Sequence, residues 1–182
     1  MSVACSLNHE GVVDTYVSYL FNVSNKALLP LDMHEASGDS PLTYAASNGN
    51  FDVVQSLLAL GANPNSCSNG ISPLITAVKS KKVEIVQALL EAGADVNFVN
   101  ENGDTALHAA VETGKHQIVR LLLNYGANCD ATNKFNRTPL HYAIENTKSQ
   151  TNRSFRVEKL LIQAGANLNA TDKFGKFYKE ML

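Results

Sequence analysis

The sequence predicts an all-α solenoid of stacked helix-turn-helix units with β-hairpin or loop fingers between them, and three observations carry that prediction. Leucines that open a helix, Leu42, Leu74, Leu107 and Leu140, recur 32, 33 and 33 residues apart. Gly-Ala pairs beginning at Gly61, Gly93, Gly126 and Gly165 follow at intervals of 32, 33 and 39, so the last unit holds an insertion. Ten of the eleven glycines fall at three positions of this period, before the first helix, between the helices and after the second, with Gly11 outside it. Those are the points where a chain of helical pairs must turn.

The elements follow in order within each unit. Ser40, Ser72, Thr105 and Thr138 each offer a hydroxyl to cap a first helix. Pro41, Pro73 and Pro139 occupy its first turn, where no amide donor is missed, and Ala106 takes that place in the third unit. In the second helix, Val53, Val54, Leu57 and Leu58 recur as Ile85, Val86, Leu89 and Leu90, then as Ile118, Val119, Leu122 and Leu123. That spacing puts an apolar stripe on one face, and a stripe that a lone unit cannot bury requires neighbours to stack. Lys81 stands where Gly49 and Gly114 stand in units one and three, and Asn136 stands at the finger glycine of unit four. Asn is a fair replacement there because it tolerates left-handed backbone. The insertion, within ENTKSQTNRSF, is polar and rich in hydroxyls and reads as an exposed loop, while Glu158 takes the place of Val119. Residues 10–21, EGVVDTYVSYLF, align loosely with a second helix and read as a degenerate unit capping the stack. At the other end TDKFGKFYKEML begins a fifth hairpin, but Lys179 falls where the opening leucine belongs, so this segment either seals the stack or leads into a longer protein.

The four units, from SPLTYAASNGNFDVVQSLLALGANPN to TPLHYAIENTKSQTNRSFRVEKLLIQAGANLN, resemble the ankyrin repeat along its full length. The resemblance implies a helical cap over 1–34, four repeats over 35–172 (about 35–66, 67–99, 100–132 and 133–172, with the insertion near 147–154) and a partial repeat or cap over 173–182.

Composition narrows the function classes. Apolar residues make up 45% of the 182, ample for a buried core and too many for global disorder. A formal charge of -2 lacks the positive field that non-specific nucleic-acid binding requires, so no nucleic acid is expected. Charge is unevenly spread: residues 1–78 hold one base and six acids (net -5), residues 134–182 nine bases and four acids (net +5). Cys5, Cys67 and Cys129 are too scattered for a disulfide framework or a zinc site, which points to a reducing compartment, the cytoplasm or the nucleus. The N-terminus has no basic region leading into a long apolar run, and Val12–Val23 is interrupted and too short to span a bilayer, so neither a secretory signal nor membrane insertion is expected.

Candidates for chemistry reduce to structure. His108 and His141 share helical spacing with Glu112 and Glu145, but no third metal ligand and no HExxH run accompany them. Both close the family's Thr-Pro-Leu-His motif, in which the resemblance implies hydrogen bonds within and between repeats. Cys67 and Cys129 have no neighbouring His to activate them. No phosphate-cradling glycine motif occurs, so the expectation is no enzyme, no cofactor and no metal.

The resemblance implies that a protein partner binds the concave face, built from finger tips and the exposed side of each first helix, by a chain that is itself monomeric. The matching positions include Ile71, Lys79, Glu101, Asp104, Glu112, Lys134, Phe135, Arg137, Phe174 and Lys176. Two readings of the tip phenylalanines stand: exposed anchors for a partner, or side chains packed on the next finger. Acids at 101, 104 and 112 followed by bases at 134, 137, 173 and 176 would steer a partner of opposite pattern, and head-to-tail self-association by the same pattern ranks lower. The family's role is adaptor, scaffold or inhibitor. The alternatives are a ligand-sensing domain in which Lys148, Arg153, Arg156 and Lys159 hold a phosphorylated small molecule or anionic lipid, or the repeat portion of a pathogen effector or larger protein. The Leu-x7-Asn spacing at Asn65, Asn97 and Asn169 matches the family's asparaginyl hydroxylation pattern, with Asp130 in the third repeat. Peptide mass spectrometry after expression beside such a hydroxylase would register the added oxygen.

Overall fold

The computed structural model describes residues 40–67, 70–147 and 152–177. The expected cap over 1–34, Lys148 in the insertion, and 178–182 at the far end lie outside the described residues. Two compact units divide the chain, 1–95 and 96–182. The first contains α1 (Pro41–Asn48), α2 (Phe51–Ala59), α3 (Pro73–Lys79) and α4 (Val83–Glu91). The second contains α5 (Ala106–Thr113), α6 (His116–Asn124), α7 (Pro139–Thr147) and α8 (Asn152–Gln163). Among the described residues extended structure is confined to isolated bridge positions, Val99 with Thr105, Thr171 with Phe177, and Ile71, so the fingers are tight turns rather than a sheet.

The caps form as their chemistry dictates. The hydroxyls of Ser40, Ser72 and Thr105 accept from the backbone amides of Thr43, Ile75 and His108, at 3.1, 3.3 and 3.4 Å. Lys81 (φ 60°) and Asn136 (φ 54°) hold left-handed backbone in the positions of the missing glycines. In unit four, Thr147 stands where Gly114 ends α5. With no glycine to stop it α7 runs through Thr147, and α8 has 12 residues against nine in α6, so the insertion expected as loop is helical at both ends.

In the first unit α1 packs on α3 and α2 on α4; in the second α5 packs on α7 and α6 on α8. The stripes predicted from periodicity are the surfaces buried by this stacking. Leu42, Leu74, Leu107 and Leu140 are at most 1% exposed, as are Ile118, Val119, Leu122, Val157 and Leu161. Glu158 is half-buried in place of Val119, and the core at that level is closed by Val157 and Leu161.

Asparagine side chains add polar ties between successive repeats. Asn65 Nδ2 donates to the Gly93 carbonyl (3.0 Å) while its Oδ1 accepts from the Asp95 amide (2.7 Å). Asn97 repeats the pattern on Gly126 (3.3 Å) and Asn128 (2.8 Å). Asp130, at the same position, accepts from the Asn167 amide (2.7 Å) and has no amide to donate. Asp130→Asn is therefore expected to raise stability by about 0.5–1 kcal/mol, the worth of one exposed hydrogen bond, read as an increase in the thermal midpoint.

Candidate interaction surface: the fingers of residues 99–177

Three fingers of the second unit are built on one plan. At the base of each stands an Asx residue, Asn100, Asn133 or Asp172, whose Oδ1 accepts two backbone amides. Asn100 holds Asn102 and Asp104, both at 2.9 Å; Asn133 holds Phe135 (2.9 Å) and Arg137 (3.1 Å); Asp172 holds Phe174 (2.8 Å) and Lys176 (3.0 Å). The base amide also donates to the carbonyl four residues on, at 3.0, 3.1 and 3.0 Å. Such a turn is an Asx motif closed a second time by backbone, so it holds the tip without help from a partner. Two amides from the Lys176 and Phe174 backbone, with the Arg137 guanidinium beside them, hold the Asp172 carboxyl below its ordinary pKa although burial opposes them.

Successive tips are stitched together. The Lys134 amide donates to the Asn102 carbonyl (3.0 Å) and the Lys173 amide to the Phe135 carbonyl (2.8 Å). The approach is close: a Cβ on Gly103, whose φ is +79°, would stand 3.1 Å from both Asn133 Cα and the Lys134 amide nitrogen. At Gly175, φ +75°, a Cβ would meet nothing within 4 Å. Gly103→Ala is therefore expected to cost about 2 kcal/mol or more, because backbone cannot yield, and Gly175→Ala about 1 kcal/mol for the left-handed conformation alone. Paired denaturant titrations would show the difference.

The fingers sit on helices anchored by histidine. The Thr105 amide donates to His108 Nδ1 (3.1 Å), and His108 Nε2 meets the Arg137 carbonyl of the next repeat at 3.0 Å. Nδ1 thus acts as acceptor and Nε2 carries the proton, so the ring is the neutral tautomer. Burial lowers its pKa from the usual 6.5, outweighing the opposing pull of the Arg137 carbonyl and the Asp104 charge. His141 caps Thr138 in the same way, accepting from its amide at 3.1 Å. Its Nε2 has no hydrogen-bond partner among the described residues. Both rings thus cap within their own repeats, and the bond to the next repeat that the motif also implies is made by His108.

Of the predicted partner-facing residues, the structure turns two inward. Asp104 is half-buried, and its Oδ1 accepts from Asn133 Nδ2 (2.8 Å) and the Tyr142 hydroxyl (3.0 Å). Burial, with the Asp104 charge second, pushes the Tyr142 phenol up to about 12. The Tyr142 ring in turn meets His108 edge-on at 5.4 Å. Arg137 is half-buried beside Asp172. The Asp104–Asn133 hydrogen bond thus links the first two fingers, and the Arg137 charge of the second acts on Asp172 of the third. Glu101, Glu112, Lys134, Phe135, Phe174 and Lys176 are exposed. Phe135 is 49% and Phe174 72% exposed, so neither ring is buried against a neighbouring finger. In the first unit Ile71 (39%) and Lys79 are also exposed.

The sequence did not mark Asn100, Asn133 and Asp172, although their spacing of 33 and 39 residues, identical to that of the Gly-Ala pairs 93, 126 and 165, is the signal that would have found them. Of the basic group, Arg156 and Lys159 are exposed on α8, whereas Lys148 and the Arg153 side chain lie outside the described residues. Asn65 and Asn97 spend both side-chain ends on the ties between repeats, and Asn169, at the end of the row, is exposed. Burial pushes the Cys129 thiol above its usual pKa, which disfavours the thiolate a nucleophile needs. Among the described residues no three His, Cys, Asp or Glu side chains are grouped to hold a metal ion, and no helix is long and apolar enough to cross a membrane.

Comparison with curated proteins gives no match. A family model for ankyrin repeats, in sets of three copies, matches residues 1–100 and again residues 74–172. The period, the threonine-histidine caps, the stacked helical pairs and this match, which covers most of the chain, agree: the protein belongs to the ankyrin-repeat family, whose repeats generally mediate protein-protein interaction.

Proposed function

We propose that the fingers of residues 99–177 capture a protein partner without chemistry, as an adaptor, scaffold or inhibitor does, with Phe135 and Phe174 as apolar anchors. The observation that carries this is the exposure of two phenylalanines, 49% and 72%, at equivalent positions on fingers whose backbones are already locked. A large apolar side chain in water is stabilising to no fold, and holding it rigidly removes the ordering cost that weakens most interfaces. Lys134, Lys173 and Lys176 are exposed and lie within two residues of the two phenylalanines in sequence, so the matching surface is an apolar patch bordered by carboxylates. Asp104 and Arg137 serve this surface indirectly, by fixing the fingers.

The test is affinity capture followed by direct titration of the captured protein against wild type and Phe135→Ala/Phe174→Ala. Two anchors of hot-spot size predict a loss of affinity of about 100-fold or more, with the thermal midpoint unchanged because neither ring supports the core. Undiminished binding by the double variant would refute the assignment. Ile71→Ala, tested alone, reports whether the first unit contributes to the same contact.

A further inference from the structure

A second site lies away from the fingers. His116 and Arg120 on α6 and Arg156, Lys159, Leu160 and Gln163 on α8 line one cleft of about 320 Å³ within the second unit. Three fixed cations therefore converge from two repeats, Arg120 and Arg156 being 36 residues apart in sequence. Stacking of α6 on α8 brings them together: Ile118, Val119 and Leu122 of one and Val157 and Leu161 of the other are buried, which leaves the exposed residues of each helix for the cleft.

Among the described residues no carboxylate lines the cleft. Glu158, the acid of α8, lies about 150° round the helix from the lining residues at the 100° per residue of an α-helix, and is half-buried there. Among the described residues none of the four basic side chains has a hydrogen bond or ion pair. Like charges held in one concavity repel each other, and no carboxylate among the described lining residues compensates them. That arrangement costs stability unless an anion is bound, which is how anion sites differ from solvated charged faces. The His116 imidazole stands at the first residue of α6, so the positive end of that helix adds to the field.

We infer that this cleft binds a phosphate ester carrying at least two negative charges. Two guanidiniums present paired N–H groups that match tetrahedral oxyanions bidentately, and Lys159 adds a movable point charge. The volume exceeds what a single phosphate fills, and Leu160 and Gln163 offer an apolar and an amide contact to the organic part. A monocarboxylate would leave two of the three cations uncompensated.

The probe is sodium pyrophosphate, titrated by NMR into the isotope-labelled full chain at low and at physiological salt. Saturable shifts confined to α6 and α8 are expected, with affinity falling as salt rises. Arg120→Gln/Arg156→Gln is expected to lose about tenfold or more in affinity without lowering the thermal midpoint of the free protein, since both residues are exposed and their mutual repulsion is relieved. Lys134→Gln/Lys176→Gln, which removes the same charge from the fingers, is expected to change little. A parallel arm uses phosphatidylcholine vesicles with and without a phosphatidylinositol bisphosphate. Cleft-dependent capture by the phosphorylated vesicles alone identifies a lipid headgroup as the source, and pyrophosphate binding without vesicle capture identifies a soluble ester. No saturable shift with either probe, or equal losses in the two double variants, overturns the site. Phe135→Ala/Phe174→Ala leaves pyrophosphate binding intact, so failure here and failure of partner capture are separable.

Discussion

His108→Leu is expected to destabilise the second unit by about 2–4 kcal/mol and to flatten its dependence on mildly acid pH. Leucine fills a similar volume, so the loss reports hydrogen bonds rather than a cavity. The Thr105 amide loses its acceptor inside a fully buried helix start, and the Arg137 carbonyl loses a donor from the neighbouring repeat. Orphaning a buried donor costs more than the bond contributed, which makes this change more damaging than removal of an exposed cap. The pH dependence follows from the same geometry. Burial holds the imidazole pKa below its usual 6.5, so as pH falls through that value the unfolded chain takes up protons before the fold does. Stability from His108 is complete above 6.5 and is lost below it. Asp172 works in a separate and lower window. Its pKa is depressed below the usual 3.8, so its contribution is present above that value and lost as pH falls towards the folded value. Denaturant midpoints measured from neutral to mildly acid pH should therefore decline in the wild type and decline less in His108→Leu. An equal decline in both would remove His108 from the account.

Leu122→Ala is expected to cost about 2–5 kcal/mol, whereas Leu123→Ala beside it should cost less than about 1.5 kcal/mol. Leu122 is 0% exposed in the contact of α6 with α8, and Leu123 is only half-buried. Truncating the first leaves a cavity between two helices that have few other partners, because a repeat touches only its neighbours. Urea titration with a probe in the second unit would separate the two residues. Since α6 and α8 also form the walls of the basic cleft, Leu122→Ala should weaken pyrophosphate binding only near its own unfolding transition.

Much of the fold was legible before any geometry. Helix starts at Ser40, Ser72, Thr105 and Thr138, and the left-handed turn at Asn136, follow from local chemistry that every repeat restates, while Lys81 takes the left-handed backbone of the glycine it replaces. Repetition supplies four readings of each position, so a departure such as Thr147 in place of a terminating glycine is visible against the others. Its consequence, an α7 that runs through Thr147 and a 12-residue α8 that begins at Asn152, was not legible, because helix extension depends on what the added residues pack against. The interaction surface was read in outline. Asp104 and Arg137 sit in the row of partner-facing positions by register, yet one is spent on Tyr142 and Asn133 and the other lies beside Asp172.

By itself the sequence determined the period, the caps, the buried stripes and the family, because each depends on contacts within about one repeat's length of chain. Only the tertiary structure decided that Phe135 and Phe174 remain in water, that Asp104 turns inward, and that Arg120 joins Arg156 and Lys159 around one cleft. Those outcomes depend on distances between side chains of different repeats. Such distances are set by how closely helices stack, and periodicity does not carry that information.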